Sequence, residues 1–155
     1  HSMNDSTRQH ARQRLDDRLG RLNPVERFKE PPKGWIKAIR EALGMTGVQF
    51  AERLGVRPQT ADALERSEAT GAIKLATLRR AAEALDCTLV YALVPKTPLE
   101  RTVNDRARAI AIRDLGRVAH SMKLEAQGTG EADLEARIAA YIRDTLTERD
   151  LWRQL

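Results

Sequence analysis

The sequence predicts an all-α protein: a helical arm, a cluster of short helices, one short strand and a helical C-terminal extension. Three observations point there. Apolar residues recur every three or four positions through nearly the whole chain. Only 4% of the 155 residues are aromatic while 41% are hydrophobic, so the core must come mainly from Leu, Ala, Ile and Val, which suits packed helices. A single run, Thr88 to Pro95, has the β-branched and aromatic character of a strand.

The elements follow in order. From Asn4 to Leu22 an Arg-rich stretch carries Leu15, Leu19 and Leu22 at helical spacing, which predicts a narrow amphipathic helix ended by Asn23-Pro24. Pro31-Pro32 then separates this arm, residues 1–30, from a domain over 31–87. Trp35, Ile36, Ile39 and Leu43 share the apolar face of a helix stopped by Gly44, with Trp35 and Phe50 expected in the core. Thr46 is placed to cap a helix over 47–54 that Gly55 closes, and Pro58 opens the next, over 58–66. A loop is expected around Ser67 to Gly71, then a helix with Leu75, Leu78, Ala81, Ala82 and Leu85 on its buried side. Cys87 beside the strand reads as a small buried hydrophobe. Residues 88–155 make the last region. In it the strand needs a partner for its backbone groups, which predicts a homodimer, held by pairing of the strand with a second copy or by packing of the long C-terminal helices. The stripe Val103, Ala107, Ile110, Ala111, Leu115, Val118 and Met122 forms a long helix, Gly128 and Gly130 break it, and Leu134, Ile138, Tyr141, Ile142 and Leu146 form another.

The stretch FAERLGVRPQTADALERSE, Phe50 to Glu68, joins two short helices through one glycine. Ala51 sits where the helices cross, and Ala61 and Leu64 point back from the second. Small residues at the crossing and glycine at the turn make this a helix-turn-helix pattern. With Ala61 and Leu64 turned inward, Gln59, Thr60, Asp62, Ala63 and Arg66 are left on or beside the outer face. Gln59 can bond adenine N6 and N7, Asp62 can accept from cytosine N4, and Ala63 can meet a thymine methyl. Arg57 and Arg66, at the two ends, suit phosphates, which fix register without reading sequence.

The run from Trp35 to Ala84, with IREALGMT, FAERLGV and LATLRRAAEALD, resembles the five-helix Cro/repressor-type DNA-binding domain of the XRE family. Over roughly residues 30–150, PPKGWIKAIREALGMT, LDCTLVYALVPKTPLE and HSMKLE resemble the family named mobile mystery protein A. The resemblance implies a sequence-specific DNA-binding transcriptional regulator, an antitoxin-like autorepressor paired with the Fic-domain protein mobile mystery protein B. Fic enzymes are blocked by a helix with Ser or Thr, three residues, Glu, then Gly or Asn, the glutamate pairing with an active-site arginine. Ser121 and Glu125 match the first two fixed positions, and Ala126 departs from the third. The alternative is a neutraliser of a Fic-type enzyme with weak or no specific DNA binding. Gly47 stands where the DNA-binding family often has Gln, Ala61 is smaller than its usual Val or Ile, and Ser67 replaces a frequent Gly. Asp62, Glu65 and Glu68 put acid beside a polyanion, so a weak binder or a purely architectural helix pair remain alternatives at this stage.

Charge is consistent with a division of labour. All of the net +5 lies before residue 97, and residues 97–155 carry ten basic and ten acidic side chains. Arg8, Arg12, Arg14, Arg18 and Arg21 either extend a DNA footprint or form a solvated helix face. One cysteine and three scattered histidines predict no disulfide and no metal site. Without a phosphate-binding glycine loop, paired carboxylates or a nucleophile–base pattern, neither a catalytic residue nor a cofactor is expected, and His120 reads as an ordinary helix residue. With no bilayer-length apolar run and no signal-peptide pattern, a cytoplasmic protein that does not engage membranes is expected.

Overall fold

A computed structural model describes residues 5–121 and 130–153, with side chains for 5–117 and 130–153. Seven helices form among these residues: α1 (Asp5–Gly20), α2 (Trp35–Ala42), α3 (Gly47–Leu54), α4 (Pro58–Thr70), α5 (Leu75–Ala84), α6 (Leu99–Ser121) and α7 (Glu131–Asp144). The chain divides into two compact units, one over Asn23–Leu93 and one joining the segment up to Leu22 to that from Val94 onward.

The first unit holds α2 to α5. Its helix boundaries are set by side-chain chemistry. Thr46 Oγ1 accepts the Gln49 N–H at 3.1 Å and Gln49 Oε1 accepts the Thr46 N–H at 2.9 Å, a reciprocal pair that starts α3. Gly55 ends α3 in the left-handed region, φ 73°, where the Val56 N–H turns back to the Ala51 carbonyl at 3.0 Å. Pro58 then opens α4 at a position whose N–H has no helical partner. Ile36, Phe50, Ala51, Ala61, Leu64, Ala81 and Leu85 form the core. Three alanines among seven core residues let the helix axes approach closely around Phe50, which is fully buried.

Several expectations are corrected here. Four α-helices, not five, occupy this unit beside a short 3-10 turn at Val25–Phe28, because the β-branched residues after Leu85 do not continue the helical pattern before Pro98. The strand over Thr88 to Pro95 does not form, and no strand is present among the described residues. β-propensity favours an extended backbone, but a ladder also needs a second strand. The expected loop at Ser67 to Gly71 is instead the last turn of α4, which ends at Gly71, φ 81°. Of the α2 face, only Ile36 is buried and Ile39 half-buried, while Trp35 is 44% exposed and Leu43 is exposed. Cys87 is half-buried.

In the second unit α1 packs on α6 and α6 on α7. Asp16 of α1 accepts the N–H groups of Leu99 and Glu100 at 2.6 and 3.1 Å, satisfying donors that open α6. Arg12 reaches Glu100 at 2.8 Å, and Arg8 pairs with Glu148 at 2.5 Å. Two of the five arm arginines are thus bound to acids of their own unit, and Arg14, Arg18 and Arg21 are exposed. Ala107, Ile110 and Leu151 form a small core with Val103, Ile142 and Leu146.

Candidate nucleic-acid interface

α4 has two opposite faces. Ala61, Leu64 and Glu65 are buried against the rest of the unit. At about 100° per residue, Gln59, Ala63, Arg66 and Thr70 fall on the far side, with Asp62 and Thr60 flanking them. All of these are exposed, and so is Arg57 at the helix entrance.

The inner acids of α4 are occupied. Glu65 takes a forked contact from the Arg40 guanidinium, in which Arg40 Nε and Nη2 each donate to one carboxylate oxygen, the latter at 3.2 Å. Arg40 Nη1 also donates to the Met45 carbonyl at 2.9 Å, so one guanidinium ties α2, α4 and the turn before α3. The hydrogen bond to Glu65 raises the Arg40 pKa above its ordinary value, against the opposing effect of burial. One turn on, the Glu68 carboxylate accepts the N–H groups of Trp35 and Ile36 at 3.0 and 2.9 Å, compensating the positive end of α2. Gly34 makes room for it. Its φ is 90°, and a Cβ there would lie 2.5 Å from Glu68 Oε1.

These contacts revise the count of acid facing a polyanion. Glu65 and Glu68 turn inward, and only Asp62 remains on the exposed side. Asp62 pairs with Arg66 at 3.4 Å, but both side chains are about two-thirds exposed or more, so solvent leaves the pair worth no more than a few tenths of a kcal/mol.

Basic groups that the sequence reading did not single out flank the exposed stripe on both sides. On the α5 side, Lys74, Thr77 and Arg80 line a groove of about 360 Å³ together with Thr60, Ala63 and Ser67 of α4. On the α2 side, Lys33 and Lys37 border a cleft of about 230 Å³ with Asp62 and Arg66. Their only sequence signal is the basic balance of the first two thirds of the chain, since nothing local in the pattern ties cations at the starts and along the lengths of α2 and α5 to a face of α4.

Other expected site residues fall elsewhere. Ser121 is the last residue of α6, and its side chain and Glu125 lie outside the described residues. Among the described residues, no group of three or more His, Cys, Asp or Glu could hold a metal ion, and no helix is long and apolar enough to cross a membrane.

Residues 36–91 match the family model described as helix-turn-helix, of the XRE type, which supports a DNA-binding regulator. No curated protein and no solved structure matches the chain.

Proposed function

We propose that the chain is a sequence-specific DNA-binding transcriptional repressor, acting as a homodimer on an operator near its own gene and serving as the antitoxin-like partner of a Fic-domain enzyme. The observation that carries the DNA-binding reading is the polarity of α4. Two of its three acids, Glu65 and Glu68, are consumed inside the unit, and its outer stripe stands between Lys33 and Lys37 on one side and Lys74 and Arg80 on the other. Such a face suits a major groove: the stripe reads base edges while the flanking cations meet the two phosphate walls.

In this reading residues 31–87 form the DNA-binding domain. Gln59 bonds adenine, Ala63 meets a thymine methyl, and Thr60 contacts a neighbouring base edge or sugar. Asp62 leaves Arg66 to accept from cytosine N4, and Arg57 and Arg66 hold phosphates. Fluorescence anisotropy with the upstream duplex and a shuffled duplex at moderate salt tests it. Preference for the upstream duplex is expected, and equal binding of both would refute sequence reading.

The partner role belongs to residues 88–155. It rests on the resemblance of HSMKLE to the inhibitory helix pattern and on a charge-neutral C-terminal third, which does not compete for DNA. In it Ser121 and Glu125 stand at the four-residue spacing of the inhibitory pattern, and Glu125 pairs with an arginine of the enzyme. The expected result is that Glu125→Ala restores nucleotide transfer by the co-purified enzyme while leaving DNA binding unchanged. Equal activity with wild-type and variant protein in an intact complex would remove Glu125 from the account. Should the anisotropy show no sequence preference while Glu125→Ala restores transfer, the reading becomes a neutraliser alone.

A further inference from the structure

Beside the core of the Asn23–Leu93 unit lies an apolar groove of about 350 Å³, lined in part by Trp35, Ile39, Leu78, Cys87 and Leu89. The chain bordering it carries the most exposed large hydrophobic side chains of the described residues: Val90 at 83%, Leu93 at 81% and Tyr91 at 62%. Among the described residues, no backbone hydrogen bond is made to or from residues 88–93, although their side chains are those of a strand. Over Cys87 to Val90 burial alternates at a period of two, with Cys87 and Leu89 half-buried and Thr88 and Val90 exposed, and Tyr91, Ala92 and Leu93 that follow are all exposed. The segment thus has the residue types of a strand without a neighbour to pair with.

The sequence around it has a two-fold charge pattern. Asp86 stands five residues before Tyr91 and Lys96 five residues after, with nine uncharged residues between them. We propose that two copies of the chain pair antiparallel through residues 87–95, in the register that sets Tyr91 opposite Tyr91 of the second copy. This inference rests on the homodimer of the preceding reading and specifies its interface.

In that register Leu93 falls opposite Leu89 of the second copy, and Asp86 opposite its Lys96. Leu89 lines the groove, so the Leu93 of each copy arrives on the same face and covers the groove of the other. One patch thereby supplies both the protruding side chains and the groove that receives them, as an isologous two-fold contact requires. Pairing also satisfies the idle N–H and C=O groups of both segments. Opposite charges at each end favour this register, since a shift by one residue moves Asp86 off Lys96 and turns the apolar side chains to the wrong face.

Cross-linking of the full chain tests the register. Directly opposed residues of an antiparallel pair have Cα atoms about 4.5–5.5 Å apart, within disulfide reach, whereas diagonal neighbours lie about 7–8 Å apart. In a Cys87→Ser background, Tyr91→Cys is expected to form an intermolecular disulfide rapidly on mild oxidation. Val90→Cys is expected to do so at least tenfold more slowly, and Val90→Cys combined with Ala92→Cys to recover the fast rate. Tyr91, Val90 and Ala92 are exposed, so the substitutions leave the core of the unit intact, which circular dichroism checks. Light scattering without DNA separates the two ways of failing. A wild-type monomer at micromolar concentration overturns the dimer and the register together, and a wild-type dimer with equal or no cross-linking at 90 and 91 overturns the register alone.

Discussion

Glu65 and Glu68 illustrate how one residue changes meaning between sequence and structure. Both read as acids beside a polyanion, because their spacing from Asp62 is visible while the arginine and the helix end that claim them lie twenty-five or more residues away. The same holds for Trp35, whose helical position suggested a core residue and whose ring borders an open groove. By contrast, Thr46, Gly55 and Pro58 were legible, since caps and turns are decided within four residues. The Arg40–Glu65 pair is largely buried, with side chains 13% and 8% exposed. Replacing one partner strands the other charge, so Glu65→Ala should lower unfolding stability by about 3–5 kcal/mol in urea titrations. A cost below about 1 kcal/mol would mean that solvent reaches the pair.

Among the elements, those whose boundaries depend on local chemistry were foreseen and those that depend on a partner were not. The strand expected at Thr88 to Pro95 is the plainest case. Its residue types describe a preference, and the missing ladder describes the need for another chain. The end of α4 is a second, because its last turn is held by Glu68 reaching α2. In the other unit, α1 binds α6 through Asp16, a contact with no signature at either end of the sequence. Asp16→Ala removes that acceptor and should cost about 1 kcal/mol of that unit's stability. Between α6 and α7, the Tyr141 hydroxyl donates to Asp114, and this with the neighbouring Arg113 holds the Asp114 carboxyl below its ordinary range. Since the folded-state value is depressed, the stabilisation is complete above the ordinary carboxylate pKa, about 4, and is lost as pH falls through the lower, folded value. Acid unfolding followed by helical circular dichroism should show Asp114→Asn with a shallower pH dependence than wild type. An unchanged profile would detach the Asp114–Tyr141 contact from stability.

At the scale of the whole molecule, the net positive charge lies entirely in the first two thirds of the chain, while the C-terminal third is neutral. That asymmetry was readable from the sequence, and the helix-turn-helix match over residues 36–91 falls within the basic part. The sequence left hidden which cations gather around α4, because Lys37 and Arg80 lie on α2 and α5 and Lys33 and Lys74 just before those helices. The central claim is that the outer stripe of α4 reads bases while these cations hold phosphates. Its most direct test is the affinity of wild type, Gln59→Ala and Lys74→Ala for an operator and its single-base variants, each measured across a salt series. Gln59→Ala should lose about 1–3 kcal/mol of discrimination at one base pair with its salt slope unchanged, whereas Lys74→Ala should weaken all duplexes alike and reduce the slope by about 1. If Gln59→Ala matched wild type on every duplex, or weakened all of them equally with a shallower slope, the stripe would not be reading bases.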